Sequence, residues 1–305
     1  MRPRLILLAL LLGLGRSQTV HARPIVGLLT DFGLDNEAVG LCHGAILAKS
    51  SDIEVVDVCN AVTPYDVELA GIMLRGTKVF PAGSAIVAVV DPGVGTARRP
   101  VAIKTNAGLV YVGPDNGIFS WVIHDQGLAA AVELEPAKVN PAWQPGTFDG
   151  RDLFSPAAAT LVLASGDLTR AGRAIDAASL VRIATGEVMH VRGSGEGERV
   201  IGQFLREDKP YGNLWTNIGA SDLESLDISL GDSVEVHLTS LDAKQEPVTL
   251  VVPFVRTFGD VAEGAPLAYV ASGGTLAFAL NQGSFLERYP VEKGAAIAIR
   301  KKAPR

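Results

Sequence analysis

Three loops of this 305-residue chain place aspartate beside glycine, a combination that suits the binding of a polar ligand. Asp31 lies in Thr-Asp-Phe-Gly, Asp91 in Asp-Pro-Gly-Val-Gly-Thr and Asp149 in Phe-Asp-Gly-Arg-Asp. The first two loops directly follow apolar runs, and in an α/β sheet ligands bind beyond the carboxyl ends of the strands. Glycine lets the backbone turn with positive φ and lets a ligand approach closely. A single such aspartate can simply cap a turn, but several on one sheet predict a ligand site.

Several well-known site signatures are missing from the sequence. Gly93-Val94-Gly95 does not complete a dinucleotide-binding fingerprint, since Arg98 stands where the third glycine belongs, and no Gly-Lys-Ser/Thr follows it. Neither a Gly-x-Ser-x-Gly elbow nor the spacings CxxC and HExxH occur, so no metal site is predicted. Four histidines fall in predicted helices or strands, and we expect none of them to be catalytic: His43, His124, His190 and His237.

The elements that must position these loops alternate between strand and helix patterns. Apolar and β-branched runs predict strands at 25–29, 53–59 and 85–90, and a hairpin joining 101–104 to 109–112. Apolar residues at helical spacing predict helices over 36–50 and 153–164. A further helix is predicted to reach about Lys78, with Thr63 as its N-cap and Pro64 at its first position. This alternation favours an α/β domain with a mainly parallel sheet over residues 23–182.

The pattern changes after about Ile183. Short alternating strands are predicted at 200–204, 233–238, 248–252, 266–270 and 295–300, and turns such as Gly193–Gly197 separate them. Helical patterns nearly vanish from this part of the chain. We therefore predict a second, smaller, all-β, barrel-like domain over residues 183–305.

The N-terminus has the pattern of a secretory signal peptide, residues 1–22. A basic start precedes a leucine-rich run from Leu5 to Leu14, and Val20-His21-Ala22 resembles a cleavage site. The run is short for a bilayer-spanning helix, which needs about 20 apolar residues. We therefore expect an exported protein, periplasmic or secreted, with no membrane segment in its mature form.

Charge and cysteine usage narrow the function classes further. Without the three arginines of the signal segment, 24 basic residues face 33 acidic ones. An acidic chain with no basic stripe argues against nucleic acid as a partner, because phosphate-backbone binding relies on clusters of Lys and Arg. Export permits a disulfide between Cys42 and Cys59, but their placement in a helix and a strand favours two buried free thiols.

Six ordered motifs of the chain resemble the S-adenosyl-L-methionine hydroxide adenosyltransferase family, which includes the related fluorinases and chlorinases. The resemblance covers nearly the whole chain after residue 22. It rests on the following segments: Thr30–Gly33, Val90–Thr96 with Arg98 and Arg99, Pro114–Gly117, Thr147–Asp152, Tyr211–Asn217 and Ala279–Ser284.

The resemblance implies a fold, an assembly and a ligand. Members have an N-terminal α/β domain and a C-terminal β-barrel and form homotrimers, in which the ligand lies between domains of neighbouring subunits. The ligand is S-adenosyl-L-methionine, a small-molecule substrate, and no cofactor is implied. By the same resemblance, residues at eight positions would bind the substrate: Asp31 the ribose, Asp35 and Asp208 the methionine ammonium, Ser272 its carboxylate, Asn213 and Phe258 the adenine, with Tyr65 and Phe148 as further contacts.

The family reaction is displacement at the ribose 5′ carbon, and members that use hydroxide carry an Asp–Arg–His set. Asp91 and Arg98 match the first two residues, but Asp149 stands where the family usually has histidine. Asp149 would act as a proton acceptor, or the two carboxylates would share a proton and hold water without activating it. The sequence thus favours hydrolysis to adenosine and L-methionine, with Asp91, Arg98 and Asp149 as catalytic residues. The alternatives are a catalytically weak, exported binding protein for an adenosyl ligand and, less favoured, a halogenase.

Overall fold

The first part of the chain forms a seven-stranded sheet. The computed structural model describes residues 23–192, 197–242, 244 and 246–303, so the signal segment and most of the predicted 193–197 turn lie outside the described residues. The strand order is β2-β1-β3-β5-β4-β6-β7. Strands β2, β1, β3 and β5 are parallel, and the remaining pairs are antiparallel. The strands are β1 (Ile25–Thr30), β2 (Glu54–Cys59), β3 (Ala85–Val89), β4 (Pro100–Thr105), β5 (Val110–Pro114), β6 (Leu128–Leu134) and β7 (Gly172–Ala174).

Helices cover both faces of this sheet. α1 and α5 pack with one face around core residues such as Leu28 and Val87. α2 and α3 pack with the other face, around Leu29 and Ile86. The helices are α1 (Ala38–Leu47), α2 (Val67–Leu74), α3 (Ser120–Gln126), α4 (Pro136–Val139) and α5 (Ser155–Leu163). The predicted α/β fold with a mainly parallel sheet is confirmed.

The start of α2 differs from the sequence prediction. Asp66, not Thr63, is the N-cap, and its carboxylate accepts a hydrogen bond from the Leu69 N–H at 2.8 Å. Tyr65 has a positive φ of 67° and cannot continue a helix. Its backbone N–H instead donates to Asp31 Oδ2 at 2.9 Å. The cap signal at Thr63 was therefore overridden by a tertiary contact.

The second part of the chain is an all-β, barrel-like sheet, as predicted. Its strand order is β12-β11-β15-β9-β10-β14-β13, and β8 pairs with β9. The edge strands meet where the Val255 N–H donates to the Ala268 carbonyl at 2.9 Å, which nearly closes the barrel. The strands are β8 (Met189–Val191), β9 (Arg199–Asp208), β10 (Asn213–Gly219), β11 (Ser233–Thr239), β12 (Val248–Pro253), β13 (Pro266–Val270), β14 (Thr275–Leu280) and β15 (Ala296–Lys301). Two short helices accompany them, α6 (Ala220–Ser225) and α7 (Phe285–Arg288).

The two sheets contact each other within one chain. Lys293, just before β15, lies 3.2 Å from a carboxylate oxygen of Asp66 and 2.9 Å from one of Glu68 at the start of α2. Ile72, Trp121 and Leu205 form a small apolar cluster between the two parts. The domain boundary predicted at residues 182 and 183 falls between β7 and β8 and stays a prediction.

Among the described residues, no helix has the length and apolarity needed to cross a membrane.

Cys42 and Cys59 are both free. Cys42 is buried, and burial raises the pKa of its thiol to about 11, whereas Cys59 is only partly buried. Cys42 therefore stays protonated at neutral pH.

Gly113 allows β3 and β5 to lie close together beside the loops that carry Asp91 and Asp115. A Cβ at Gly113 would lie 2.2 Å from the Ala88 carbonyl oxygen, a contact that backbone atoms cannot relieve cheaply. We expect Gly113→Ala to lower the free energy of unfolding by roughly 1–3 kcal/mol. Gly44→Ala in α1 meets no atom within 4 Å and should be neutral or stabilising, by up to about 1 kcal/mol. Urea unfolding of both variants measures the difference, and equal stability would contradict the prediction.

Candidate functional site

One arginine joins the two carboxylates that the sequence singled out. Arg98 Nε donates to Asp91 Oδ2 at 2.9 Å, and its Nη2 donates to Asp149 Oδ2 at 2.5 Å. The side chains of Asp91, Arg98 and Asp149 are only 5, 11 and 9% exposed. Burial lowers the pKa of the guanidinium, but the hydrogen bonds and charges of the two aspartates outweigh it and raise that pKa above its usual value. Arg98 is therefore a permanent cation between two acids.

Hydrogen bonds within the loop after β3 bring the side chains of Asp91 and Arg98 together. The Gly93 N–H donates to Asp91 Oδ1 at 3.2 Å, so the second carboxylate oxygen is also held. Thr96 Oγ1 donates to the Gly93 carbonyl and accepts from the Arg98 N–H at 3.3 Å. This backbone geometry brings the Arg98 side chain back over Asp91, with its guanidinium 5.3 Å from the centre of the Phe154 ring.

Asp149 stands at the start of a short π-helical turn, Gly150–Phe154, which runs into α5. Such turns are rare and are frequently found at functional sites. Gly150 lies against Phe32 of the loop after β1: a Cβ there would come within 2.8 Å of the Phe32 ring. The turn therefore carries Asp149 to the carboxyl-end edge of the parallel strands, beside the loop that holds Asp31.

Trp143 is a contact of this cluster that sequence reasoning missed. Its indole Nε1 donates to Asp149 Oδ1 at 3.2 Å. No motif marks it, because it lies in an irregular proline-containing segment six residues before Asp149. Its position comes from Asn140, which accepts the Trp143 backbone N–H and donates to the Asp152 carbonyl at 2.8 Å. Asp149 thus has a donor on each oxygen.

Asp31 lies next to this cluster because Thr30 pairs with Val89 on the neighbouring parallel strand. Asp31 Oδ2 accepts the Tyr65 N–H, and the phenol of Tyr65 is exposed. Phe148 packs edge-on against Phe32, with ring centres 5.5 Å apart. Asp35 is exposed on the same loop. The sequence-predicted residues of the first sheet thus lie along one edge.

A second group of predicted residues lines a cavity of about 670 Å³ on the barrel. Asp208, Asn213 and Phe258 face it together with Tyr269, which the sequence did not single out and whose ring centre is 5.2 Å from that of Phe258. Burial, and then the charge of Asp208, raise the pKa of Tyr269, so its hydroxyl stays protonated. The Asn281–Ser284 segment, part of the last sequence motif, completes the lining.

Asn213 borders this cavity and carries a buried, unused acceptor. Its Nδ2 donates to Asp208 Oδ2 at 3.2 Å, which fixes the orientation of the amide. The Tyr269 hydroxyl lies close to Asn213, yet Oδ1 of Asn213 is buried and accepts no hydrogen bond of good geometry from the described residues. A buried carbonyl oxygen without a donor is costly.

Ser272 lies apart from both groups. It lines a smaller cleft of about 360 Å³ between the two sheets, together with Arg206 and Trp215. The Arg206 guanidinium stacks 4.0 Å from the Trp215 ring centre, and burial lowers its pKa. The large cavity is lined only by residues between 208 and 284. The predicted site residues therefore fall, within one chain, into a cluster at the first sheet's edge, a cavity on the barrel and a cleft between them.

Comparison with known proteins agrees with this two-part architecture. The family models for the SAM hydroxide adenosyltransferase N-terminal and C-terminal domains match residues 26–172 and 202–298. This protein belongs to the SAM hydroxide adenosyltransferase family. The resemblance carried by the six sequence motifs is thereby confirmed, and the family acts on S-adenosyl-L-methionine as a small-molecule substrate.

Relatives of this family member carry two different activities in their names. An (R)-S-adenosyl-L-methionine hydrolase of Thermus thermophilus is 34% identical over 91% of this chain and 99% of its own. A fluorinase of Actinoplanes sp. is 30% identical over 92% of this chain and 99% of its own. A solved structure of an uncharacterized conserved protein from Thermotoga maritima superposes with a TM-score of 0.81 at 30% identity, over 90% of this chain and 99% of that one.

Removal of the Arg98 charge should expose the repulsion between the two carboxylates. We expect Arg98→Gln to lower the free energy of unfolding by about 3–5 kcal/mol near neutral pH, since it leaves buried charges unpaired.

Urea unfolding at neutral pH measures this effect. Arg173→Gln is the matched control, because Arg173 pairs with Glu133 at the surface and should contribute less than about 1 kcal/mol. A deficit in Arg98→Gln no larger than that in Arg173→Gln would contradict the electrostatic explanation.

Proposed function

We propose that this protein hydrolyses S-adenosyl-L-methionine to adenosine and L-methionine, with water as the nucleophile at the ribose 5′ carbon. The observation that carries the proposal is the Asp91–Arg98–Asp149 cluster at the edge of the first sheet, where one cation faces two acids. Family membership supports the substrate, and several relatives that are S-adenosyl-L-methionine hydrolases by name support hydrolysis.

The proposed step balances without a general acid. Water loses a proton to a carboxylate of the cluster while its oxygen forms a bond to the 5′ carbon. The carbon–sulfur bond breaks, and its electron pair stays on sulfur, so methionine leaves as a neutral thioether. The protein therefore has to orient and deprotonate water, tasks for which general base catalysis typically contributes about 10²–10⁴-fold.

The charge of the cluster favours water over halide. With both acids ionised, Asp91, Arg98 and Asp149 carry a net charge of about −1 in a region with little solvent exposure. A fluoride or chloride ion would be repelled there, and the repulsion is stronger at low dielectric than in water. The same negative charge attracts the cationic sulfonium of the substrate.

Two of the proposed substrate contacts have direct geometric support. The unused Oδ1 of Asn213 suits a donor such as the exocyclic amine of adenine. Phe258 and Tyr269 present aromatic faces to the same cavity, where a purine would stack. We assign the ribose to Asp31, with Tyr65 and Phe148 beside it, the ammonium to Asp35 and Asp208, and the carboxylate to Ser272.

The separation of the two ligand-binding regions supports a site shared between subunits. The barrel cavity contains no residue of the first sheet's edge, although both carry proposed contacts. We propose a homotrimer in which the edge of one subunit meets the barrel cavity of the next. We also propose export with removal of residues 1–22, on the signal-like N-terminus. N-terminal sequencing of protein recovered outside the cytoplasm tests the cleavage.

Product analysis tests the proposed reaction directly. Mature protein incubated with S-adenosyl-L-methionine in H₂¹⁸O should release adenosine that carries ¹⁸O at its 5′ oxygen, because the oxygen comes from solvent. Asp149→Asn and Asp91→Asn should each lower kcat by about 10²-fold or more. Liquid chromatography with mass spectrometry follows both results.

Two outcomes would reject the hydrolase. Thermal stabilisation by S-adenosyl-L-methionine without adenosine release would leave a binding protein, and 5′-halogenated adenosine in the presence of halide would indicate a halogenase. Asp149→His is a further probe: a gain in turnover would show that the aspartate is a poor substitute for histidine, and a loss would show that it has its own role.

Mixing of variants tests the shared site. Asp91→Asn removes the function of the first-sheet edge, and Asn213→Ala that of the barrel cavity, so each homotrimer should be nearly inactive. Subunits that are unfolded and refolded together should recover a substantial fraction of wild-type activity, because some interfaces then combine two intact halves. Co-refolding Asp91→Asn with Asp149→Asn is the control and should recover none, since both lesions lie in the same half. Equal recovery in both mixtures would contradict the arrangement.

A further inference from the structure

Asp149 is held on both sides by donors of different kinds. Arg98 occupies Oδ2 at 2.5 Å, and the indole N–H of Trp143 occupies Oδ1 at 3.2 Å. Arg98 also forms an ion pair with Asp91, in which Nη2 lies 2.6 Å from Oδ2. One guanidinium shared by two nearly buried carboxylates leaves the pair short of positive charge. The indole donor is the additional group that favours the charged form of Asp149.

We propose that Trp143 is a positioning residue that keeps Asp149 ionised and oriented as the acceptor of the water proton. This inference rests on the proposed hydrolysis. An indole donates but neither accepts nor titrates, so it supports the charged carboxylate wherever that form is present. It also disfavours the sharing of one proton between Asp149 and Asp91, because a protonated Asp149 would accept the indole N–H less strongly.

The position of Trp143 is itself fixed by its surroundings. Its ring packs on the core around α1 and α5. The Asn140 amide ties its turn to Asp152, at the start of the helix that carries Asp149. The donor and the acceptor therefore belong to one rigid unit, and the indole N–H stays directed at Oδ1.

The other charged and titratable groups near Asp149 lie on several different elements. Asp91 and Arg98 lie on the loop after β3, and Asp31 and Asp35 on the loop after β1. Cys42 lies on α1, which packs against the same π-helical turn, and Arg151 pairs with Asp152 on that turn. β3 and α5 carry no titratable side chain, and Tyr111 of β5 packs in the core on the opposite face of the sheet. Among these groups, Arg98 alone donates to Asp149 in addition to Trp143.

The pH–rate profile of a Trp143→Phe variant tests the proposal, because phenylalanine keeps an aromatic ring and removes the donor. Without the donor the charged carboxylate is less favoured, so it gains its proton at higher pH. The acid limb of kcat should therefore move up by about one pH unit, with about tenfold lower kcat on the acid side and little change on the plateau or in KM.

Trp121→Phe is the matched control. The Trp121 indole N–H is buried and has no acceptor among the described residues, so its removal costs no hydrogen bond. The acid limb of the Trp121→Phe pH–rate profile should stay at the wild-type position. A loss in Trp143→Phe by the same factor at every pH, or an unmoved limb, would overturn the proposal and leave Trp143 a packing residue.

A second measurement does not need turnover. The chain has three tryptophans, so ¹⁵N-labelled protein shows three indole N–H resonances, and Trp143→Phe identifies the one that belongs to Trp143. This resonance should shift with pH in the wild type and lose that shift in Asp149→Asn. A resonance that does not respond to Asp149 would overturn the proposal. The resonance could instead respond to Asp149 in a protein that forms no adenosine. That result would support the Trp143–Asp149 contact and reject only the proposed hydrolysis.

Discussion

The candidate site of this protein depends on a shortage of positive charge at one point. Arg98 is the only cation in contact with Asp91 and Asp149 among the described residues, and all three side chains are nearly buried. Burial of ionised groups is tolerated only where partners satisfy them. Further groups therefore contact this cluster. The Gly93 N–H and Trp143 Nε1 donate to the aspartates, and the Phe154 ring packs on Arg98. The two carboxylates are thus held by several donors but share a single cation.

The fold supplies this cluster through adjacent parallel strands. The pairing of β1 with β3 places the loops of Asp31 and Asp91 side by side, and the π-helical turn adds Asp149 from the next layer. The barrel contributes a separate cavity, which the aromatic side chains of Phe258 and Tyr269 line. The carboxylate cluster and the aromatic cavity thus lie on different sheets.

Much of this could be predicted from the sequence, because it depends on local patterns. Apolar runs that end in Asp-Gly loops identified β1, β3 and their site aspartates, and the change to short alternating strands identified the barrel. β6 was not predicted, since its run Leu-Ala-Ala-Ala-Val-Glu-Leu has no clear alternation. The cap of α2 was misplaced because the Tyr65 N–H is drawn to Asp31. The separate location of Ser272 depends on contacts between distant segments. Trp143 lies in an irregular segment without a motif, so local patterns indicate neither.

The contact of Gly150 with Phe32 and Phe148 has a consequence for how such a site can diverge. The rings of Phe32 and Phe148 lie so close to this backbone that position 150 has room only for glycine, whatever side chain stands at position 149. An exchange at position 149 would therefore leave this packing in place. The new side chain would meet the same backbone and the same two donors, Arg98 and Trp143.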